Sequence, residues 1–147
     1  MVPLPPDFRD FLKLLNQHEV EYLLIGGYAV AFHGYVRYTG DMDIFIRLSK
    51  ENAVRVRNVL INFGFPESAV PQELFEEKGR IIRMGVPPMR LEILNTISGV
   101  TFEECYERRT IQVVEDVQVN FINLNDLKKN KAASGRTKDL NDLEHLP

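Results

Sequence analysis

After Pro5-Pro6, the apolar residues Phe8, Phe11, Leu12, Leu14 and Leu15 recur at helical spacing, and Asp7 stands where an N-cap is expected. The apolar run Glu21-Tyr22-Leu23-Leu24-Ile25 then predicts a short strand buried on both faces. Gly26-Gly27 break it, residues 28–33 predict a short helix, and Gly34 ends that helix. Residues 36–38 cross back to a second strand, Asp41–Ile46, in which polar and apolar positions alternate. Ser49 is the expected cap of a long helix reaching Phe63, with Gly64 as its stop and a loop containing Pro66 and Pro71 beyond.

The second half reads in shorter pieces. Residues 80–84 and 89–94 predict neighbouring strands on either side of Pro87-Pro88. Residues 102–108 suggest a helical turn or two, and residues 110–114 and 117–122 flank Glu115-Asp116 as a hairpin. Asn123 caps a helix to Ser134, Gly135 interrupts, and residues 138–146 form a last helix expected to turn Leu140, Leu143 and Leu146 to one face. Strands interspersed with helices give an α/β (α+β) class, a mixed sheet flanked by helices. The 147 residues fit one domain, 1–147, with no second large module.

Alternation raises the chemical question. Asp41 and Asp43 share one face of their strand, while Met42, Ile44 and Ile46 turn to the other and anchor it. Two neighbouring carboxylates do not both stay ionised cheaply unless a cation neutralises them, and hard oxygen ligands at a wet edge suit magnesium. A bare D-x-D is also read as a turn residue followed by a solvated edge charge. The glycine pair, running from a strand into a helix, offers backbone N–H groups to an anion, or is a plain tight turn. Glu92, flanked by Leu91 and Ile93, repeats the pattern of an acid within a strand and is either a third metal carboxylate or an edge acid paired with Arg80, Arg83 or Arg90.

Bulk composition narrows the partners. A formal net charge of −3 lacks the positive footprint of a protein that tracks a nucleic-acid backbone, which favours small-molecule or protein acceptors. No apolar run reaches the roughly 20 residues of a membrane span. One cysteine, Cys105, and a start without signal-peptide features lead to the expectation of a reducing cytoplasm.

The order of strand, Gly26-Gly27, short helix, Arg37-x-Thr39-x-Asp41-x-Asp43 and a later Glu92 resembles the nucleotidyltransferase superfamily typified by DNA polymerase beta. Within it the chain is most similar to the small bacterial members called minimal, abortive-infection-type or lincosamide-type nucleotidyltransferases. The tail from Leu127 through Lys131 and Arg136 to Asp139 and Asp142 is similar to their C-terminal helices.

That resemblance implies a nucleotidyltransferase fold and AMP transfer from ATP to an acceptor hydroxyl, with pyrophosphate released. It implies that Gly26 and Gly27 hold the triphosphate and that Asp41, Asp43 and Glu92 are catalytic and bind two magnesium ions. Arg37, Thr39 and Lys131 are added as nucleotide-binding residues. Relatives often carry Gly-Ser with a shorter spacer and Asp at the third acid, whereas this chain has Gly-Gly, a longer spacer and Glu92. Those departures keep open a second expectation, a nucleotide sensor or antitoxin that binds a partner without turnover. The acceptor is a protein such as a partner toxin, a small hydroxylated molecule or an RNA end. A homo-oligomer or a toxin–antitoxin complex is possible.

From residue chemistry alone, Arg37 is equally a structural partner of an acid, and Lys131, Arg136 and Lys138, set among acids, read as members of a solvated helix laced with surface pairs. His33 reads as packed or exposed, and Cys105 as a small apolar residue.

Overall fold

The computed structural model describes residues 3–86 and 90–147. Among the described residues, a six-stranded mixed sheet in the order β3-β4-β2-β1-β6-β5 is flanked by seven α-helices. Its strands are β1 (Tyr22–Ile25), β2 (Asp41–Ile46), β3 (Ile81–Met84), β4 (Arg90–Leu94), β5 (Thr110–Val114) and β6 (Val117–Phe121). The helices are α1 (Pro6–Gln17), α2 (Gly26–Phe32), α3 (Lys50–Phe63), α4 (Glu73–Glu76), α5 (Phe102–Glu107), α6 (Leu124–Ser134) and α7 (Thr137–His145). β2 is antiparallel to β1 and parallel to β4, and β1 is parallel to β6. Among the described residues no helix is long and apolar enough to cross a membrane.

The local signals act largely as expected. β1 is buried at every position. Ser49 caps α3 by accepting from the Asn52 N–H at 3.1 Å, and Asn123 caps α6 by accepting from the Asp126 N–H at 2.7 Å. Gly64 and Gly135 end those helices with φ of 123° and 67°, a region open to glycine at no steric cost.

Three expectations need correction. Proline fits the first helical turn without losing a needed N–H, so α1 begins at Pro6; Pro5 is its N-cap and Asp7 lies inside the first turn. α2 takes up Gly26 and Gly27 instead of starting after them. The face of α7 that packs inward carries Asp139 and Asp142, each 1% exposed, with Leu146 buried just beyond the helix end, while Leu140 is 46% exposed. Pro87-Pro88, expected to restrict the backbone between two strands, lie outside the described residues.

Aromatic contacts tie the layers together. Phe8 of α1 meets Tyr28 of α2 edge-on at 5.8 Å, Phe11 of α1 meets Phe63 of α3 at 5.2 Å, and Phe32 of α2 stacks on Phe121 of β6 at 4.0 Å. Asn52, buried at the start of α3, receives the Glu21 N–H and donates to the Glu21 and Arg47 carbonyls, fastening the beginning of β1 to the end of β2. The Asp41–Asp43 face of β2 continues into Phe45, which is covered by Phe102 of α5 at 5.1 Å. Half of that face is therefore core, and the other half opens to solvent.

Candidate functional site

Strand register builds the site. Ile25 pairs with Asp43, Asp43 with Glu92, and Glu92 with Arg83, so one line across β1, β2, β4 and β3 runs from the glycine turn through two acids to an arginine. A second line pairs Asp41 with Arg90, and a third pairs Leu94 with Ile81. Paired residues project to the same side of a sheet. All of these but Arg90 form the floor of a cleft of about 650 Å³, whose other wall includes Asn130, Lys131, Ser134, Arg136 and Lys138 from α6, α7 and their junction. That is the scale of a small-molecule or cofactor site.

The glycines are required by close approach. Gly26 has φ of 66°, and a Cβ there would overlap the Asp43 carboxylate, lying 2.8 Å from its Cγ. At Gly27 a Cβ would lie 2.6 Å from Thr39 Cβ and 3.2 Å from Arg37 Nη1. Gly26 thus lets the turn lie against a candidate catalytic acid, and Gly27 lets Thr39 and Arg37 close over it. The first N–H groups of a helix lack intrahelical acceptors, and the turn that carries them lines the cleft.

Electrostatically, Asp43 is strongly perturbed. Burial first, then the charges of Glu92 and Asp41, push its carboxyl up to about 7, against the opposing pull of Lys138 and Lys131. Asp41 accepts two hydrogen bonds from Arg90, at 2.9 and 3.2 Å, and Glu92 accepts one from Arg83 at 3.1 Å. The Arg83 pairing is the edge-strand alternative weighed for Glu92; Arg80 instead bonds Glu77 at 2.6 Å. Among the described residues, no three Asp, Glu, His or Cys groups converge closely enough to form a ready-made metal cluster. The donors nevertheless fit a hard divalent cation, because they are all carboxylate oxygens and their mutual repulsion, read in the raised Asp43 carboxyl, is what such a cation relieves.

The opposite wall departs most from sequence expectation. Lys131 is 4% exposed and its Nζ lies 3.0 Å from both Asp139 and Asp142, so it belongs to a buried network and not to a solvated helix face. Arg37 forks onto both Asp142 oxygens at 2.7 Å, and Arg136 bonds Asp139 at 2.7 and 3.3 Å. Ser134 adds a 2.6 Å bond to Asp139. Burial alone would raise the Asp139 carboxyl, but the bonds from Arg136, Ser134 and Lys131 outweigh it and hold that group well below the usual range. Asp142 is likewise held low, by Arg37 and Lys131 against its burial. Arg37 therefore orients an acid, but one 105 positions away and not a member of the D-x-D. Its Nη1 also donates to the Tyr38 carbonyl at 3.1 Å, which fixes the loop leading to Thr39.

Sequence reasoning thus placed Gly26, Gly27, Arg37, Thr39, Asp41, Asp43, Glu92 and Lys131, and all of them line this cleft. It missed Arg90 as the partner of Asp41, and it missed Asp139 and Asp142 as buried acids. The available signal was their spacing of three, which puts both on one face of the last helix. Two bland readings hold: His33 Nε2 bonds the Ile122 carbonyl at 2.7 Å, and Cys105 is buried, its thiol pushed up to about 12 by burial and Asp126.

This sheet, with its glycine turn beside strand-borne acids, defines the nucleotidyltransferase-like class of fold. A crystal structure of an antigenic nucleotidyltransferase-like protein from Paracoccidioides brasiliensis is similar to the chain, with a TM-score of 0.57 and 17% identity over 98% of this chain and 77% of the other. More particularly, residues 7–146 match the family described as nucleotidyltransferase of unknown function (DUF6036), and the chain belongs to that family. None of the curated proteins matches it in sequence.

Proposed function

We propose that the chain catalyses magnesium-dependent transfer of a nucleoside monophosphate, AMP from ATP, to an acceptor hydroxyl with release of pyrophosphate. The observation that carries this reading is the line Ile25, Asp43, Glu92, with Gly26 packed against Asp43, in one cleft faced by Lys131, Arg136 and Lys138. Nucleotidyl transfer is an in-line displacement at the α-phosphorus, so it needs anion donors on the leaving side and acids at the reacting centre.

In this reading the Gly26 and Gly27 amides, with Thr39, receive the terminal phosphates, and Arg37 holds the loop that carries Thr39. Lys131 supplies positive charge from behind, since both its carboxylate partners are already shared with arginines. Asp41, Asp43 and Glu92 would hold magnesium, which when bound neutralises the triphosphate. Charge neutralisation and positioning supply most of the catalysis in such transfers.

Incubation with α-labelled ATP, magnesium and candidate acceptors is expected to release pyrophosphate and move the label. Transfer that survives Asp41→Ala combined with Asp43→Ala refutes the site assignment.

A second reading is favoured by the Arg90–Asp41 and Arg83–Glu92 bonds, which already occupy two of the three acids. In it the protein binds nucleotide or a partner, as an antitoxin-type module, without turnover. Calorimetry separates the two: triphosphate binding without pyrophosphate release supports the second, and absence of nucleotide binding removes both.

A further inference from the structure

The two edges of the sheet differ in how they are protected. β3 carries Arg83 within its run, and a charge on an edge strand discourages pairing with another strand. β5, at the other edge, reads Thr-Ile-Gln-Val-Val and contains neither a charge nor a proline nor a glycine. Its Ile111 and Val113 are 48% and 62% exposed. They share one face, so the strand offers apolar side chains as well as backbone.

The hairpin fixes which backbone groups face outward. Glu115 and Asp116, with φ of 49° and 69°, close it as a two-residue turn between the paired Val114 and Val117. In such a hairpin the closing pair is hydrogen-bonded, and bonded pairs alternate with unbonded ones. Thr110, Gln112 and Val114 therefore spend their N–H and C=O groups on β6, while Ile111 and Val113 turn theirs to the open edge. Contacts on the far side of β6 agree with this phase. Asn120, opposite Ile111, gives its N–H to the Tyr22 hydroxyl at 3.4 Å, and the carbonyl of Gln118, opposite Val113, accepts from the Asn16 amide at 2.7 Å. Both groups point away from β5.

We propose that this edge pairs with the same edge of a second copy of the chain, antiparallel and centred on Gln112. In that register Ile111 of one copy faces Val113 of the other. These are the residues whose backbone groups are available, so each such pair exchanges both of its N–H···O bonds. Gln112 faces itself across the two-fold axis as an unbonded pair. Charge selects the same arrangement, because β5 is preceded by Arg108-Arg109 and followed by Glu115-Asp116. Antiparallel apposition brings the basic end of each copy to the acidic end of the other, whereas parallel apposition sets like charges together. Arg108 is committed to Asp126 and Glu104. Among the described residues, however, the Arg109 side chain bonds only the Tyr106 carbonyl, Asp116 makes no side-chain bond, and Glu115 gives one oxygen to the Leu4 N–H.

Opposed residues of an antiparallel pair project to the same side, so the two-fold axis stands perpendicular to the sheet. The two copies form one continuous sheet with both clefts opening on the same side, each toward its outer end, away from β5. Only five residues pair per copy, so the contact falls in the small, transient class, half-formed at about 100 μM.

Sedimentation equilibrium of the full chain tests this. Between about 10 μM and about 1 mM the mass is expected to rise from the monomer toward the dimer value. Gln112 is exposed, so Gln112→Lys and Gln112→Glu are expected to fold and to melt close to the parent. Each sets two like charges face to face across the axis and is expected to weaken self-association about fivefold. An equimolar mixture of the two variants is expected to pair at least as well as the parent, since Lys then faces Glu. In hydrogen exchange the Ile111 and Val113 amides should slow as concentration rises, while those of Gln112 and Val114, already held by β6, should not change. A parent that stays monomeric at the highest concentration overturns the proposal and leaves the edge to a strand of another protein. Self-association unmoved by either variant also overturns it, by placing the contact elsewhere. A mixture that pairs no better than each variant alone overturns the two-fold register. None of these readouts depends on nucleotide, so the nucleotidyl-transfer reading stands or falls separately.

Discussion

Lys131→Met tests whether the wall behind the candidate phosphate site is held by charge. The substitution keeps the length and apolar stem of the side chain and removes an ammonium lying 3.0 Å from two carboxylates, each 1% exposed. Removing one partner of a buried ion pair typically costs about 3–5 kcal/mol, because the partner's charge stays behind in a poorly solvated place. Here Asp139 keeps Arg136 and Ser134, and Asp142 keeps Arg37, so the lower end, about 3 kcal/mol, is expected. For a chain of this size that amounts to a fall in Tm of roughly 6–12 °C.

The pH dependence carries a sign. Both acids are held below the usual carboxylate range in the folded state, so their contribution is fully present above the unfolded carboxylate range and is lost as pH falls through it toward their folded values. Urea unfolding followed by circular dichroism at pH 7 and at about pH 3.5 should show a large gap between the parent and Lys131→Met at pH 7 and a smaller one in acid. A gap under about 1 kcal/mol at pH 7, or one that does not narrow in acid, refutes the network as a structural support.

Gly26→Ala should destabilise the fold by more than about 1 kcal/mol and abolish nucleotide binding, since φ of 66° and the Asp43 carboxylate both oppose a Cβ; melting and calorimetry check this. Asp43→Asn, measured in EDTA, should raise stability at pH 8 by on the order of 1–2 kcal/mol after allowing for solvent screening, and by little at pH 4. The sign follows because an acid raised to about 7 in the folded state penalises folding once pH passes the unfolded carboxylate value. Arg90→Ala frees Asp41 and should tighten magnesium binding by calorimetry with little change in melting temperature.

What could be read in advance was what the chain encodes locally. The alternation in Asp41–Ile46 put two acids on one face because the pleat has a period of two, and Glu92 announced itself by the same rule. Caps such as Ser49 and Asn123 act through neighbours three residues away, which the sequence displays directly. Hidden was whatever needs a distant partner. The three leucines of the last helix made an apolar stripe the natural inward face, yet the helix turns Asp139 and Asp142 inward because Lys131, Arg37 and Arg136 meet them there. Arg37 lies 105 positions from Asp142, and no local pattern reports that bond. The parallel register of β2 with β4, which decides that Glu92 lies beside Asp43 and Arg90 beside Asp41, is nonlocal in the same way.

β2 serves the core with one set of side chains and the cleft with the other, and Phe45 marks where its second face passes from solvent to interior. That division makes the strand a phase-sensitive element. Adding or deleting a single residue within Asp41–Ile46 would exchange the two faces, driving both carboxylates into the apolar layer and Met42 and Ile44 into water. The irregular segment of residues 34–40, which makes no strand ladder, has no such phase. Length variation along this stretch should therefore be tolerated up to Arg37 and Thr39, whose own contacts fix their places, and become lethal to the fold at Asp41, a boundary that a scan of single-residue insertions would map directly.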